Sequence, residues 1–196
     1  MRYDPPASPP RPRRLTRRNA LGALAGSLGA GALLIARGAE ATLGAEPAAR
    51  RLVLHNLHTR ESLEVEYYRA GAYWAPALAQ VNQLLRDHRN DAVHAIDPGL
   101  LDLLHAAAEG CGRDPEFEVI SGYRSPASNA ALHARSAGVA AHSLHMQGQA
   151  IDVRLVGCDL ERLRNAGLAL GRGGVGYYRA LQFVHLDTGR TRSWVG

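Results

Sequence analysis

Residues 51–196 predict a single domain that mixes β-strands with α-helices. Three observations carry this: segments with two-residue alternation, segments with helical spacing behind clear N-caps, and the absence of any repeat or second boundary. In chain order, Arg51–Asn56 and Ser62–Tyr68 alternate apolar and polar residues around Leu57–Glu61, which predicts a β-hairpin. Trp74–Asp87 carries apolar residues at 74, 77, 78, 81, 84 and 85, a helical spacing. Asp97-Pro98 is an N-cap followed by proline at the first helical position, opening a helix to about Gly110. Glu116–Ser121 reads as a strand, and Ser125-Pro126 caps a short helix to Ala137. Gln149–Leu155 is a strand, Asp159 caps a helix to about Gly171, and Gln182–Asp187 is the last strand.

Strand parity singles out a site. Alternate residues of a strand share a face. Ala150, Asp152 and Arg154 therefore face one way, and Ile151, Val153 and Leu155 the other. In the last strand Phe183, His185 and Asp187 share a face opposite Val184 and Leu186. If the two strands are neighbours, Asp152 and His185 point into one site while the aliphatic faces bury against helices. His145 enters from the preceding loop, where Gly148 permits a tight turn. Two imidazoles and a carboxylate are the ligand set of a zinc ion with one position left for water, the arrangement of a hydrolase rather than a structural site. Small Ala150 leaves room beside the carboxylate. Six other histidines (55, 58, 88, 94, 105 and 133) lack such company and read as ordinary surface or core residues.

The net charge of +5 is unevenly placed. Residues 1–41 hold 7 Arg and 2 acids, whereas residues 42–196 hold 16 Arg and 16 acids and are neutral. Nothing in that balance suggests a nucleic-acid partner. The Arg- and Pro-rich start, the Ala/Gly/Leu run from Ala20 to Ala36 and the Ala39-Glu40-Ala41 sequence follow the order of a bacterial export signal. The run is too short and glycine-rich for a stable membrane span once the signal is cleaved. Thr16-Arg17-Arg18-Asn19-Ala20-Leu21 resembles the twin-arginine pattern, with Ala20 where Phe is usual. An ordinary secretory signal and an uncleaved anchor are the alternatives. The expected organisation is thus an export signal at 1–41, a linker at 42–50 and the domain at 51–196, placed in the periplasm. Cys111 and Cys158 fit no zinc motif, and either a single disulfide or two free thiols suits an exported domain.

The motif Ser143-Leu144-His145-Met146-Gln147-Gly148-Gln149-Ala150-Ile151-Asp152 resembles the S-x-H-x-x-G-x-A-x-D signature of the M15 zinc peptidases. Ser121-Gly122-Tyr123-Arg124-Ser125 is similar to that group's S-G-Y-R-S segment, and Phe183-Val184-His185-Leu186-Asp187 supplies the third ligand. Residues 51–196 as a whole resemble the DUF882 or YcbK-like branch of exported murein endopeptidases, with RDHR at 86–89 and IDP at 96–98 also in place. The resemblance implies an α+β fold, a central antiparallel sheet flanked by helices with a zinc site on one sheet face. It implies His145, Asp152 and His185 as ligands of one Zn2+ per chain, and peptidoglycan peptides as substrate.

One position departs from the pattern. Many M15 enzymes carry a glutamate base three residues before the last ligand, and related enzymes a histidine two before it; here these are Gln182 and Phe183. The expected base is Asp187 or His142, Asp187 having the alternative role of orienting a ligand histidine. Arg124 is the expected partner of the developing oxyanion. Arg190, Arg192 and Trp194 are weaker candidates for binding stem-peptide carboxylates, and Ser128, Asn129, Gln147 and Gln149 for hydrogen-bonding substrate. The expected function is zinc-dependent murein endopeptidase. The alternatives are a D-Ala-D-Ala-type carboxypeptidase and a non-catalytic peptidoglycan-binding envelope protein.

Overall fold

The structure, a computed structural model, describes residues 48–136 and 138–196. The expected export signal and most of the expected linker lie outside the described residues, as does Ala137. The fold is α+β. Eight strands, β1 (Arg50–Asn56), β2 (Ser62–Arg69), β3 (Ala72–Tyr73), β4 (Glu116–Ser121), β5 (Ala150–Leu155), β6 (Gly174–Tyr178), β7 (Phe183–Asp187) and β8 (Arg192–Val195), form one sheet in the order β3-β2-β1-β4-β5-β7-β6-β8. Five of the seven pairings are antiparallel, the centre of the sheet included; β1–β4 and β6–β8 are parallel. Four helices complete the domain: α1 (Ala75–Leu84), α2 (Pro98–Gly110), α3 (Pro126–His133) and α4 (Leu160–Leu170).

The helix starts follow their caps. Asp97 accepts a hydrogen bond from Gly99 N with Pro98 first in the helix, Ser125 accepts from Ser128 N ahead of Pro126, and Asp159 accepts from Arg162 N. Helix α1 ends earlier than expected, at Leu84, and α3 at His133. Beyond α1 the backbone N–H of Asp87 pairs with Ala92 O, so Asp87 belongs to a turn.

Helices α1, α2 and α4 pack on one sheet face. Ile151, Val153 and Leu155 of β5 and Val184 and Leu186 of β7 join Leu52, Leu54, Phe117 and Leu104 in the core, as the alternation requires. The opposite face carries Asp152 and His185. Three strands, β3, β6 and β8, escaped sequence reading, so β7 is not the last strand. Gly174-Val175-Gly176 of β6 places glycine on the site face, which suppresses any apolar alternation there. A Cβ on Gly176 would lie 2.6 Å from Trp194 Cζ2, so the strand needs glycine to seat that indole. Among the described residues no helix is long and apolar enough to cross a membrane. Cys111 is buried and Cys158 half-buried, both as thiols. Burial, followed by the neighbouring Cys158, pushes the Cys111 thiol up to about 12.

Candidate metal centre

The site is laid out along one row of the sheet. Ser121, Asp152, His185, Gly176 and Trp194 are successive partners across β4, β5, β7, β6 and β8. Asp152 and His185 are therefore direct neighbours on one face, as parity predicts. His145 reaches them from a 3-10 turn, Leu144–Gln147, that precedes β5. The turn ends at Gly148 with φ +66°, and a Cβ there would collide with Ala95 O, so the sequence-level role of this glycine holds.

The three side chains are buried, and one ligand atom from each lies within 4.8 Å of the others. His185 Nδ1 is 2.8 Å from Asp152 Oδ1 and 3.3 Å from His145 Nε2, and His145 Nε2 is 3.4 Å from Asp152 Oδ1. The outer ring nitrogens fix the tautomers. His145 Nδ1 sits 2.7 Å from the Gly122 carbonyl oxygen, to which it donates. His185 Nε2 sits 3.0 Å from Asp187 Oδ2 and donates to it. The inner nitrogens, His145 Nε2 and His185 Nδ1, therefore face each other and a carboxylate. Two facing lone pairs repel unless a proton or a cation lies between them. The donor set and its orientation fit a divalent metal ion of the zinc type.

Burial alone would raise the Asp152 carboxyl, but His145 and His185 outweigh it and hold Asp152 well below the usual carboxylate range. Burial acts to lower His185, but its hydrogen bonds to the Asp152 and Asp187 carboxylates outweigh this and push it up to about 9, so a proton on the ring answers Asp152. Burial wins at His145 and lowers it.

Asp187 is wholly buried. Oδ1 accepts from Gly174 N, Gly189 N and Arg192 Nη1, and Oδ2 from Arg192 Nη2 and His185 Nε2. It lies on the outer side of the His185 ring, away from the donor cluster. Of the two roles expected of Asp187, base and orienting partner of a histidine, its geometry suits the second: both oxygens are engaged, and it does not line the cleft. What it contacts is the outer ring nitrogen of His185.

Arg124 does reach the cluster. Its guanidinium is buried, with Nη2 3.7 Å from Asp152 Oδ2. Its other bonds are long, 3.4 Å to Ser121 Oγ and 3.4 Å to Asn129 Oδ1, and buried Nε has no partner. A buried guanidinium so weakly satisfied is poised for a further acceptor. Its backbone is tied to the donor cluster as well, because Arg124 N donates to His145 O while His145 Nδ1 donates to Gly122 O.

A cleft of about 550 Å³ opens over the cluster. Arg124, His142, His145, Asp152, Tyr178, Phe183, His185, Arg192 and Trp194 line it. His142 stands exposed on its rim. Arg192 is committed to Asp187, and Arg190, Gln147 and Gln149 do not line the cleft. Asn129 donates to the carbonyls of Ala140 and Ala141, so it clasps the rim loop. Ser128 packs beside Asp87. Gln182 has φ +59° in an exposed turn, and its amide donates to Arg179 O. It lies outside the cleft, so the glutamate position of many M15 enzymes is turned away from the donor cluster here. Sequence reading missed Tyr178. Its alternation with Gly174 and Gly176 was the available signal.

The chain is similar to known proteins over most of its length. The M15 peptidase family model described as peptidoglycan L,D-endopeptidase MepK matches residues 44–194. The peptidoglycan L,D-endopeptidase MepK of Escherichia coli is 43% identical over 169 residues, covering 86% of this chain and 92% of that protein. The probable peptidoglycan L,D-endopeptidase MepK of Haemophilus influenzae is 39% identical over 151 residues, covering 76% of this chain and 81% of that protein. No solved structure matches.

Proposed function

The chain belongs to this M15 peptidase family, and on that premise we propose that it is a zinc-dependent murein endopeptidase that hydrolyses peptide cross-links of peptidoglycan. The relatives' names point to an L,D bond as the one cut. The observation that carries the zinc reading is the convergence of His145 Nε2 and His185 Nδ1 at 3.3 Å with Asp152 Oδ1 beside them, while both outer ring nitrogens are held by oxygens. His145, Asp152 and His185 would hold the ion. When bound, zinc supplies Lewis acidity and brings a water's pKa toward neutrality.

The chain's own residues supply the rest. Arg124 offers its unpartnered Nε and loosely held Nη groups to the carbonyl oxygen as it gains negative charge. Burial lowers the affinity of Arg124 for its proton, and Asp152 counteracts this. The charge it presents is thus poorly screened. Asp187 fixes the His185 ring. His142 accepts the proton of the attacking water: among the described residues it is the one imidazole on the cleft outside the ligand set, and no glutamate among them lines the cleft. We extend the reading to residues 1–41 as a twin-arginine export signal and to the periplasm as the place of action, since peptidoglycan lies outside the cytoplasmic membrane.

The test is the purified chain incubated with cross-linked muropeptides, chelated and then zinc-reconstituted, with products identified by mass. Cleavage of cross-links that appears only with zinc is expected. Cleavage that persists in chelator refutes the zinc reading, and no cleavage in either condition refutes the enzyme reading.

A further inference from the structure

Tyr178 is the last residue of β6, opposite Phe183 of β7 and two residues from Gly176, the partner of His185. Its ring stacks on Phe183 with centroids 4.5 Å apart. Trp194 occupies the space above Gly176, with its ring 5.2 Å from that of His185, and its Nε1–H donates to Tyr178 Oη at 2.9 Å. Indole nitrogen is a donor only, so the phenol is the acceptor in this bond. The phenolic hydrogen must then point elsewhere, and it has no acceptor among the described residues. Tyr178 is half-buried, lines the cleft with the three ligands, and lies within electrostatic reach of Arg124. Two aromatic rings thus fix the hydroxyl of a cleft-lining residue, with its hydrogen uncommitted among the described residues.

We propose that Tyr178 contacts the substrate, donating its phenolic hydrogen to an oxygen of the peptide group being cleaved, and that Trp194 is a positioning residue that holds it there. This rests on the peptidase reading above. A hydroxyl already polarised by an accepted hydrogen bond is a better donor than a free one. A second donor beside Arg124 shares the charge of the tetrahedral oxygen, whose geometry differs from that of the planar carbonyl. The contact therefore strengthens as the reaction proceeds and acts on kcat more than on KM.

Tyr178→Phe removes the hydroxyl and keeps the stack on Phe183. With the zinc-loaded chain and cross-linked muropeptide, kcat should fall on the order of 10²-fold while KM stays within about twofold. Calorimetric binding of a phosphinate dipeptide, a tetrahedral mimic, should weaken by at least about tenfold with zinc content unchanged. Trp194→Phe should lose less, and the double variant should match Tyr178→Phe alone, because Trp194 acts through the hydroxyl. Unchanged kcat and phosphinate affinity in Tyr178→Phe overturn the proposal, as do losses that multiply in the double variant. A wild-type chain that neither cleaves muropeptide nor binds the phosphinate overturns the peptidase reading and this proposal together. An active wild type beside an equally active Tyr178→Phe overturns this proposal alone.

Discussion

Replacing Asp187 by Asn separates a proton acceptor from a residue that orients a ligand. The change is isosteric and removes the charge. The wild-type carboxylate accepts five hydrogen bonds, from Gly174 N, Gly189 N, two Arg192 nitrogens and His185 Nε2. An amide keeps one acceptor oxygen and turns an N–H2 toward groups that are themselves donors. At least two bonds to a charged group are lost, at roughly 1.5–3 kcal/mol each. Arg192 is about a third exposed and regains water, which offsets part of this. The expected loss of stability is about 3 kcal/mol. The ring of His185 also loses the partner that fixes its tautomer, so metal affinity should fall roughly 10–100-fold, equivalent to about 1.4–2.8 kcal/mol. The assay is a zinc titration of kcat in both proteins beside a competitive chelator. Excess zinc should restore most of the variant's rate. Unchanged zinc affinity with kcat still about 10²-fold down at saturating zinc would refute this reasoning and return Asp187 to the role of base.

Single replacements of His145, Asp152 or His185 by Ala should each abolish stoichiometric zinc, measured by elemental analysis, and with it hydrolysis; wild type should hold one ion per chain. Asp87 is wholly buried; burial raises its carboxyl, but hydrogen bonds from Ser128, Ser125 and the backbones of Ser125 and Arg89 bring it down to about 2. Its folded pKa lies below the ordinary 3.8. The carboxylate therefore contributes stability above about pH 4, and this is lost as pH falls toward 2. Urea unfolding of wild type and Asp87→Asn should differ by about 2 kcal/mol at pH 7 and converge near pH 2; a pH-independent gap would contradict the linkage. Changing Arg17 and Arg18 together to Lys should leave a precursor in the cytoplasmic fraction, whereas normal export would mean a general secretory signal.

The parts of the site legible in the sequence are those governed by strand periodicity. Asp152 and His185 share a face because side chains alternate, and their pairing followed from two strands with matching aliphatic backs. The caps at Asp97, Ser125 and Asp159 were legible because each side chain answers an orphan backbone N–H. What was not legible depends on which side of a ring a partner lies. Parity puts Asp187 on the His185 face but cannot say that it meets Nε2 while the cluster meets Nδ1. β6 and β8 were hidden for a related reason. Their site-face positions, Gly174, Gly176, Arg192 and Trp194, are chosen to fit one another rather than to form an apolar stripe.

The parallel β1–β4 pairing bears on how the molecule forms. Val53 pairs with Glu116, whereas Asp152 pairs with His185 and both belong to the contiguous stretch from β4 to β8. Closing the longer loop costs more chain entropy, and non-local pairing slows folding. The donor cluster can therefore assemble while the β1–β2 hairpin is still unattached. Until that hairpin docks, β4 presents an unpaired edge carrying Phe117 and Val119. An open edge of this kind recruits other chains. Aggregation during refolding should be governed by the arrival of residues 50–69, which lie apart from the donor cluster.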